Sequence, residues 1–345
     1  MPYNTFRMDV KAREVIEYDS IEDLRQMLLS HKGEVILPVG EGSNLLFTKD
    51  FEGTILLSRM RRARALKETQ DEVWIEAESG LKLDDLIAQL VDMNLTGMEN
   101  LSYIPGTVGA SAVQNVGAYG VEAKDLIEEV HTLHVETAEP RTFTNEECRF
   151  GYRDSIFKNE LKGQYIVTSV VYKLHKAGEL KLDYGNLRSA LEGIHEPTAQ
   201  DVREAVIAVR KTKLPEVTEL GSAGSFFKNP VIGEEQFLAL QQQYPTIPHY
   251  AVNSPTAQRS YSASGPTAPA VLQRSGHKIP AAWLIEQCGW KGKMMGGAQC
   301  YDKQPLVLVN RNNATPQDII NLAAAICDSV REKFGITISP EVNYI

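Results

Sequence analysis

Two glycine-rich stretches carry the first chemical signal in this chain. The longer, PGTVGASAVQNVGAYG from Pro105 to Gly120, interleaves glycine with Ala, Ser and Thr, a composition too bare of side chains for core. Glycine tolerates positive φ and lets main-chain N–H groups approach a ligand closely, and successive donors of this kind form concave sites for phosphate. The shorter, GEGSN from Gly40 to Asn44, directly follows the apolar run VILPV at 35–39. Two such turns predict a ligand with a diphosphate, such as a dinucleotide. Neither fits the GxGxxG spacing that opens a Rossmann helix, which disfavours NAD as the resident ligand and favours flavin. The expected cradle comprises Gly40, Gly42, Ser43 and Asn44 in the first turn. In the second it comprises Gly106, Thr107, Gly109, Ala110, Gln114, Asn115, Gly117, Ala118 and Gly120. Backbone amides take the pyrophosphate, and Ser43, Asn44, Gln114 and Asn115 add adaptable hydrogen bonds. No histidine lies between His31 and His131 and no cysteine precedes Cys148, so the flavin is expected to be held without a covalent bond.

Candidates for acid, base or charge stabilisation are Arg153, Tyr184, Lys213, Ser225 and Glu341, all in segments rich in Gly, Pro or aromatic residues. Each has a plainer reading. Arg210, Lys211 and Lys213 would also complement a helix C-terminus. Glu341 would also suit a solvated edge strand, and Ser225, between Gly224 and Phe226, an ordinary turn. Composition alone leaves these readings open.

The 345 residues, 43% hydrophobic and 23% charged, suffice for two or three packed units. No apolar run approaches the ~18 residues of a membrane span, and the start MPYNTFRMDVKARE lacks the apolar centre of a signal peptide. A cytoplasmic location without membrane attachment is expected. Cys148, Cys288, Cys300 and Cys327 lack paired zinc spacing, so neither a metal nor a disulfide is expected. A net charge of −9 argues against nucleic acid as a partner.

These residues need elements to hold them. A helix capped by Ser20 is predicted to bury Ile21, Leu24 and Leu28 and to end at Gly33, followed by strands at 35–39 and 54–57. Residues 72–78 alternate as a strand, and 83–95 place Leu83, Leu86, Ile87, Leu90 and Val91 on one helical face that leads into the long glycine run. β-rich segments at 130–135 and 165–174 flank CRFGYRDSIFK. A helix from Thr198, with Val202, Ala205, Val206 and Val209 inward, stops at Pro215. ELGSAGSFFKNP (219–230) has the small residues of a ligand loop, and 246–278, rich in Ser, Thr and Pro, is expected to be a long surface loop. Thr315 and Pro316 start a last helix that ends at Gly335.

Taken together, YNTFRMDV, LPVGEGSNLLF, GMENLSYIPGTVGASAVQNVGAYGVE, CRFGYRDSIFK, KTKLPE, GSAGSFFKNP, AAWLIEQCGWKG and the terminal PEV resemble the UDP-N-acetylenolpyruvoylglucosamine reductase (MurB) family, of the type with a tyrosine-bearing loop. The likeness spans nearly the whole chain. It implies an α+β fold with an FAD-binding domain of vanillyl-alcohol-oxidase (PCMH) type in two subdomains and an α+β substrate-binding domain. The expected boundaries are 1–66 joined by the tail 341–345, then 67–209, then 210–340. It implies FAD reduced by NADPH, a UDP-sugar substrate, and a monomer. Hydride would pass from flavin N5 to the terminal carbon of the enolpyruvyl group, giving UDP-N-acetylmuramate for peptidoglycan.

Carried onto matching positions, Arg153, Ser225 and Glu341 are the catalytic set, with Ser225 the proton donor. Tyr152, Tyr184, Lys213, Asn229 and Gln304 are the substrate contacts. The chemistry suits these types: hydride addition to an unsaturated carboxylate develops negative charge beside the carboxylate, which calls for cations there and an acid facing the carbon. Asn343 stands where the family commonly has a basic residue after PEV, and Arg7 where a glycine often follows NTF. An alcohol oxidase of the same fold and a catalytically idle FAD-binding module are the alternatives. The absent anchor histidine and SAGSFFKNP oppose the first, and the presence of Arg153, Ser225 and Glu341 together opposes the second.

Overall fold

The computed structural model describes residues 3–184, 187–252 and 276–345. They form two compact units, Met1–Glu219 with Tyr344–Ile345, and Leu220–Asn343. The expected boundary at 209/210 falls inside a continuous helix, and the first unit runs on to Glu219.

The first unit opens with β1 (Ala12–Tyr18), α1 (Ile21–Ser30), β2 (Ile36–Val39), β3 (Leu45–Leu46) and β4 (Phe51–Ser58). β4 lies between β1 and β2 and is parallel to both, which explains its unbroken buried run from Gly53 to Leu57. Ser20 caps α1 as expected, accepting from the Asp23 amide at 3.1 Å. Leu24 and Leu28 join a cluster with Leu56 and Met60, but Ile21, predicted inside, is 49% exposed because the first turn lies outside that cluster. At the other end of the chain, Ile345 exchanges backbone hydrogen bonds with Leu46 and Thr48.

Next come β5 (Ala63–Glu68), β6 (Glu72–Glu78), α2 (Leu83–Asp92), α3 (Val108–Gln114), the short pair β7 (Gly117–Ala118) and β8 (Val121–Glu122), β9 (Ile127–His134), β10 (Pro140–Thr144), β11 (Tyr165–His175), α4 (Leu187–Ala190) and α5 (Ala199–Lys213). Five strands form an antiparallel sheet in the order β10-β9-β11-β6-β5. Its apolar face packs on α2 and α3 through Ile75, Leu86, Leu90, Val108, Ala112 and Val170.

Val108, Gly109, Ser111 and Ala112 are buried in α3, so half of the long glycine run is a helix in the core and not a bare loop. Small residues allow it to lie close to β11, and Ser111 shares a hydrogen bond with Tyr172 at 2.8 Å.

The second unit comprises β12 (Gly221–Ser225), β13 (Val231–Gly233), α6 (Glu234–Gln243), β14 (Tyr250–Val252), β15 (Gly276–Lys278), α7 (Ala281–Gln287), β16 (Met294–Met295), β17 (Ala298–Cys300), β18 (Val307–Asn310) and α8 (Pro316–Phe334). Within the segment 219–230, expected as a loop, Gly221–Ser225 form strand β12 and pair with β18, and Phe226 and Phe227 are buried. The ends of the expected 246–278 loop are also strands, since β14 and β15 pair with each other and β15 with β13. Residues 253–275, on which the rest of that expectation falls, lie outside the described residues. α8 follows its sequence signals closely. Thr315 and Asp318 form a capping box, Pro316 takes the first position, and Gly335 closes the helix at φ 64. Among the described residues no helix is long and apolar enough to cross a membrane.

Candidate active site

In the first unit the two glycine turns meet. Ser43 Oγ donates to the Pro105 carbonyl at 3.1 Å, and the Gly106 N–H donates to the Glu41 carboxylate at 2.6 Å. A Cβ on Gly40 would stand 2.8 Å from Thr107 Oγ1. Gly42 lies at φ 64, where a Cβ would strike the Tyr3 carbonyl at 2.0 Å, so only glycine fits there. Thr107 caps α3, with the Ala110 amide 3.5 Å from its hydroxyl.

The remaining predicted cradle residues serve a second purpose, which is to build the loop carrying Arg153. Asn115, fully buried with φ 44, donates to the Gly151 carbonyl at 2.6 Å and to Glu122, and accepts from the Lys124 amide. Lys158 Nζ reaches Gln114 Oε1 at 2.7 Å and the Arg153 carbonyl at 3.1 Å, while Ser155 Oγ donates to the Val113 carbonyl at 2.6 Å. Gly109 is packed on Ser79, whose carbonyl takes its amide at 3.0 Å. Gly117 and Ala118 pair with β8.

So held, Arg153 adopts φ 55, a left-handed backbone unusual for a side chain of its size, and its Nη2 donates to the Gly117 carbonyl. The Tyr152 ring lies 5.5 Å from the guanidinium carbon. Tyr184 packs edge-on against Tyr119 at 6.4 Å and lies over Gly120. Lys213 is the exposed last residue of α5. Sequence reasoning passed over Tyr103, Asp84 and Tyr119 and left Arg210 as a helix-terminus charge. Burial and the charge of Arg153 push Arg210 below its ordinary pKa, against the pull of Tyr119, Asp84 and Tyr103. Two cations therefore share this corner, and a lone Arg spaced from a GYRDS string carries no sign of that.

The second unit builds its own corner around Phe226. Pairing of β12 with β18 shifts register between Ser222 and Ser225, a bulge at which Gly224 takes φ 66 and Ser225 turns outward. Ser225 is exposed, and among the described residues its hydroxyl has no hydrogen-bond partner. The Phe226 N–H donates to Leu306 and its carbonyl accepts from the Glu341 amide, both at 2.7 Å. Gln304 shapes the turn before Leu306, accepting the Val307 amide at 2.9 Å on its carbonyl. Asn229 Oδ1 accepts the Ala281 amide at 2.9 Å at the start of α7. Backbone bonds thus bring the Ser225–Phe226 segment beside the Gln304–Leu306 turn and beside Glu341, while Asn229 is tied through its side chain to the start of α7.

A cavity of about 400 Å³ in the first unit, lined by residues that include Glu99, Asp125, His175 and Lys181, carries none of the predicted site residues.

Comparison with known proteins follows this division. Residues 12–140 match the FAD binding domain and 216–345 the UDP-N-acetylenolpyruvoylglucosamine reductase C-terminal domain. A UDP-N-acetylenolpyruvoylglucosamine reductase of Bacteroides fragilis is 46% identical over 348 residues, covering 100% of this chain and 98% of that one. The chain belongs to the UDP-N-acetylenolpyruvoylglucosamine reductase family. A reductase of the same name from Flavobacterium johnsoniae is 42% identical over 99% of this chain and 97% of its own. The crystal structure of the Thermus caldophilus MurB covers 99% of this chain and 95% of its own with a TM-score of 0.65 at 21% identity, a likeness of fold. The family's layout, an FAD-binding domain followed by an α+β domain, is therefore the expected one.

The residues present fit FAD. Two small-residue turns face each other, and a Gly106 amide that already takes a carboxylate oxygen from Glu41 can take a phosphate oxygen by the same geometry.

Proposed function

We propose that the chain is an FAD- and NADPH-dependent reductase that converts UDP-N-acetylenolpyruvoylglucosamine to UDP-N-acetylmuramate for peptidoglycan. The observation that carries this reading is end-to-end similarity to reductases of that name, together with the presence of Arg153, Ser225 and Glu341 at the motif positions. Bound FAD, reduced by NADPH, would supply hydride from N5 to the terminal enolpyruvyl carbon.

The glycine turns would hold the cofactor's diphosphate on Gly40, Gly42, Gly106 and their neighbours. Addition of hydride leaves negative charge on the adjacent carbon and its carboxylate. Arg153 and Lys213 stabilise that charge where it develops. Ser225 donates the proton to the carbon, a role served by a hydroxyl that has no partner to release among the described residues. Glu341 polarises the reacting centre or relays the proton. Tyr152, Tyr184, Asn229 and Gln304 orient the sugar nucleotide.

Anaerobic stopped-flow mixing tests the whole reading. NADPH should bleach the bound flavin, and the enolpyruvyl UDP-sugar should restore its colour. Restoration by oxygen with no response to the UDP-sugar would instead identify an oxidase.

A further inference from the structure

Tyr103, just ahead of the long glycine run, has no part in the chemistry above. Its backbone lies at φ 60, a strained conformation for a bulky residue that persists only where the surroundings impose it. Its N–H donates to Asp84 Oδ1 at 2.6 Å, and Asp84 is gripped by both Nη atoms of Arg203 in the first half of α5. Its carbonyl accepts from Arg210 Nε at 3.1 Å. Its phenol donates to Glu216 Oε1 at 2.6 Å, and Lys211 Nζ stands 5.5 Å from the ring centre.

Arg210 and Glu216 are the third residue before and the third after Lys213. One tyrosine therefore holds the chain on both sides of that lysine. Lys213 needs such help: it is the last residue of α5, where helices fray, and the backbone turns extended at Leu214 before Pro215. A flexible four-carbon stem adds side-chain freedom of its own.

We propose that Tyr103 is a positioning residue, which ties the end of α5 to the start of the glycine run so that the Lys213 ammonium meets the anionic sugar nucleotide from a fixed place. This rests on Lys213 being a substrate contact.

Tyr103→Phe removes the phenol bond and keeps the ring and backbone. Its KM for the enolpyruvyl UDP-sugar should rise about ten-fold, the weight of one hydrogen bond to a charged group. FAD content and the rate of flavin reduction by NADPH should stay at wild-type values, and amide exchange at 211–216 should quicken. Glu216→Ala should behave like Tyr103→Phe, whereas Glu216→Gln, which keeps an acceptor, should stay within about two-fold of wild type. Adding Tyr103→Phe to Lys213→Ala should cost nothing further. A wild-type KM in Tyr103→Phe beside a raised KM in Lys213→Ala, or additive effects in the double variant, would overturn the role of Tyr103. An unchanged KM in Lys213→Ala would instead remove the assignment of Lys213 and the proposal with it.

Discussion

The Glu341 amide donates to the Phe226 carbonyl at 2.7 Å, one residue beyond Ser225. That bond seats the C-terminal glutamate beside the outward-turned serine without calling on either side chain. The Phe226 ring beneath is fully buried and packs edge-on against Phe227 at 5.1 Å. Backbone pairing and a core aromatic ring both hold this corner.

It follows that Ser225→Ala should fold as well as the parent, within about 0.5 kcal/mol. Phe226→Ala, which empties a core position, should lose about 3–5 kcal/mol. Denaturant unfolding of the two variants checks this. Comparable losses in both would mean that the side chain of Ser225 supports the corner itself.

Asp84 gives a pH-dependent prediction. Burial pushes its carboxyl up, but hydrogen bonds from Arg203 and the Tyr103 amide and the charges of Arg203 and Arg210 outweigh it and hold the pKa below 3.8. A carboxyl depressed in the folded state contributes stability above its unfolded pKa, and that contribution fades as pH falls through the folded value. Asp84→Asn should therefore cost about 1–3 kcal/mol near neutrality, and its gap to wild type should close progressively below about pH 4. A gap that is constant across that range would show that the charge of Asp84 contributes nothing.

Gly109→Val should lower melting temperature and FAD content together. Its Cβ would stand 2.9 Å from the Ser79 Cβ, with the Ser79 backbone close behind, so α3 must move away from the sheet. Overpacking of this kind costs about 1–3 kcal/mol. Full flavin occupancy at an unchanged melting temperature would contradict this.

The flavin itself should come free. No histidine or cysteine lies in either glycine turn, and acid precipitation should leave all of the FAD in the supernatant. Absorbance at the flavin band that stays with the pellet would show a covalent bond.

How far these features could be read from the sequence depended on how local they were. α8 was legible because Thr315, Pro316, Asp318 and Gly335 announce both of its ends within the helix's own residues. Ser20 likewise marked α1. The burial of 108–112 within the long glycine run was not legible because small residues serve two ends, close approach of a ligand and close approach of a helix to a sheet, and composition does not distinguish them. Tyr103 was invisible for another reason: its partners Asp84, Arg210 and Glu216 lie 19, 107 and 113 residues away. Arg153, Ser225 and Glu341, the proposed catalytic residues, were singled out in the sequence through chemistry and resemblance, but the bulge that turns Ser225 outward and the positive φ of Arg153 are properties of pairing and packing.

Ser225 is the proposed acid, and the two half-reactions separate it from a merely structural serine. Flavin reduction by NADPH needs no proton on the substrate, so Ser225→Ala should reduce at close to the wild-type rate. Reoxidation by the enolpyruvyl UDP-sugar should slow by about 10²- to 10⁴-fold, the usual loss for a positioned proton donor. Stopped-flow flavin absorbance, followed for each half-reaction in turn, measures both. Slow reoxidation after normal reduction is the predicted result; reoxidation of Ser225→Ala at the wild-type rate would contradict it and pass the role of acid to Glu341 or a water that it holds.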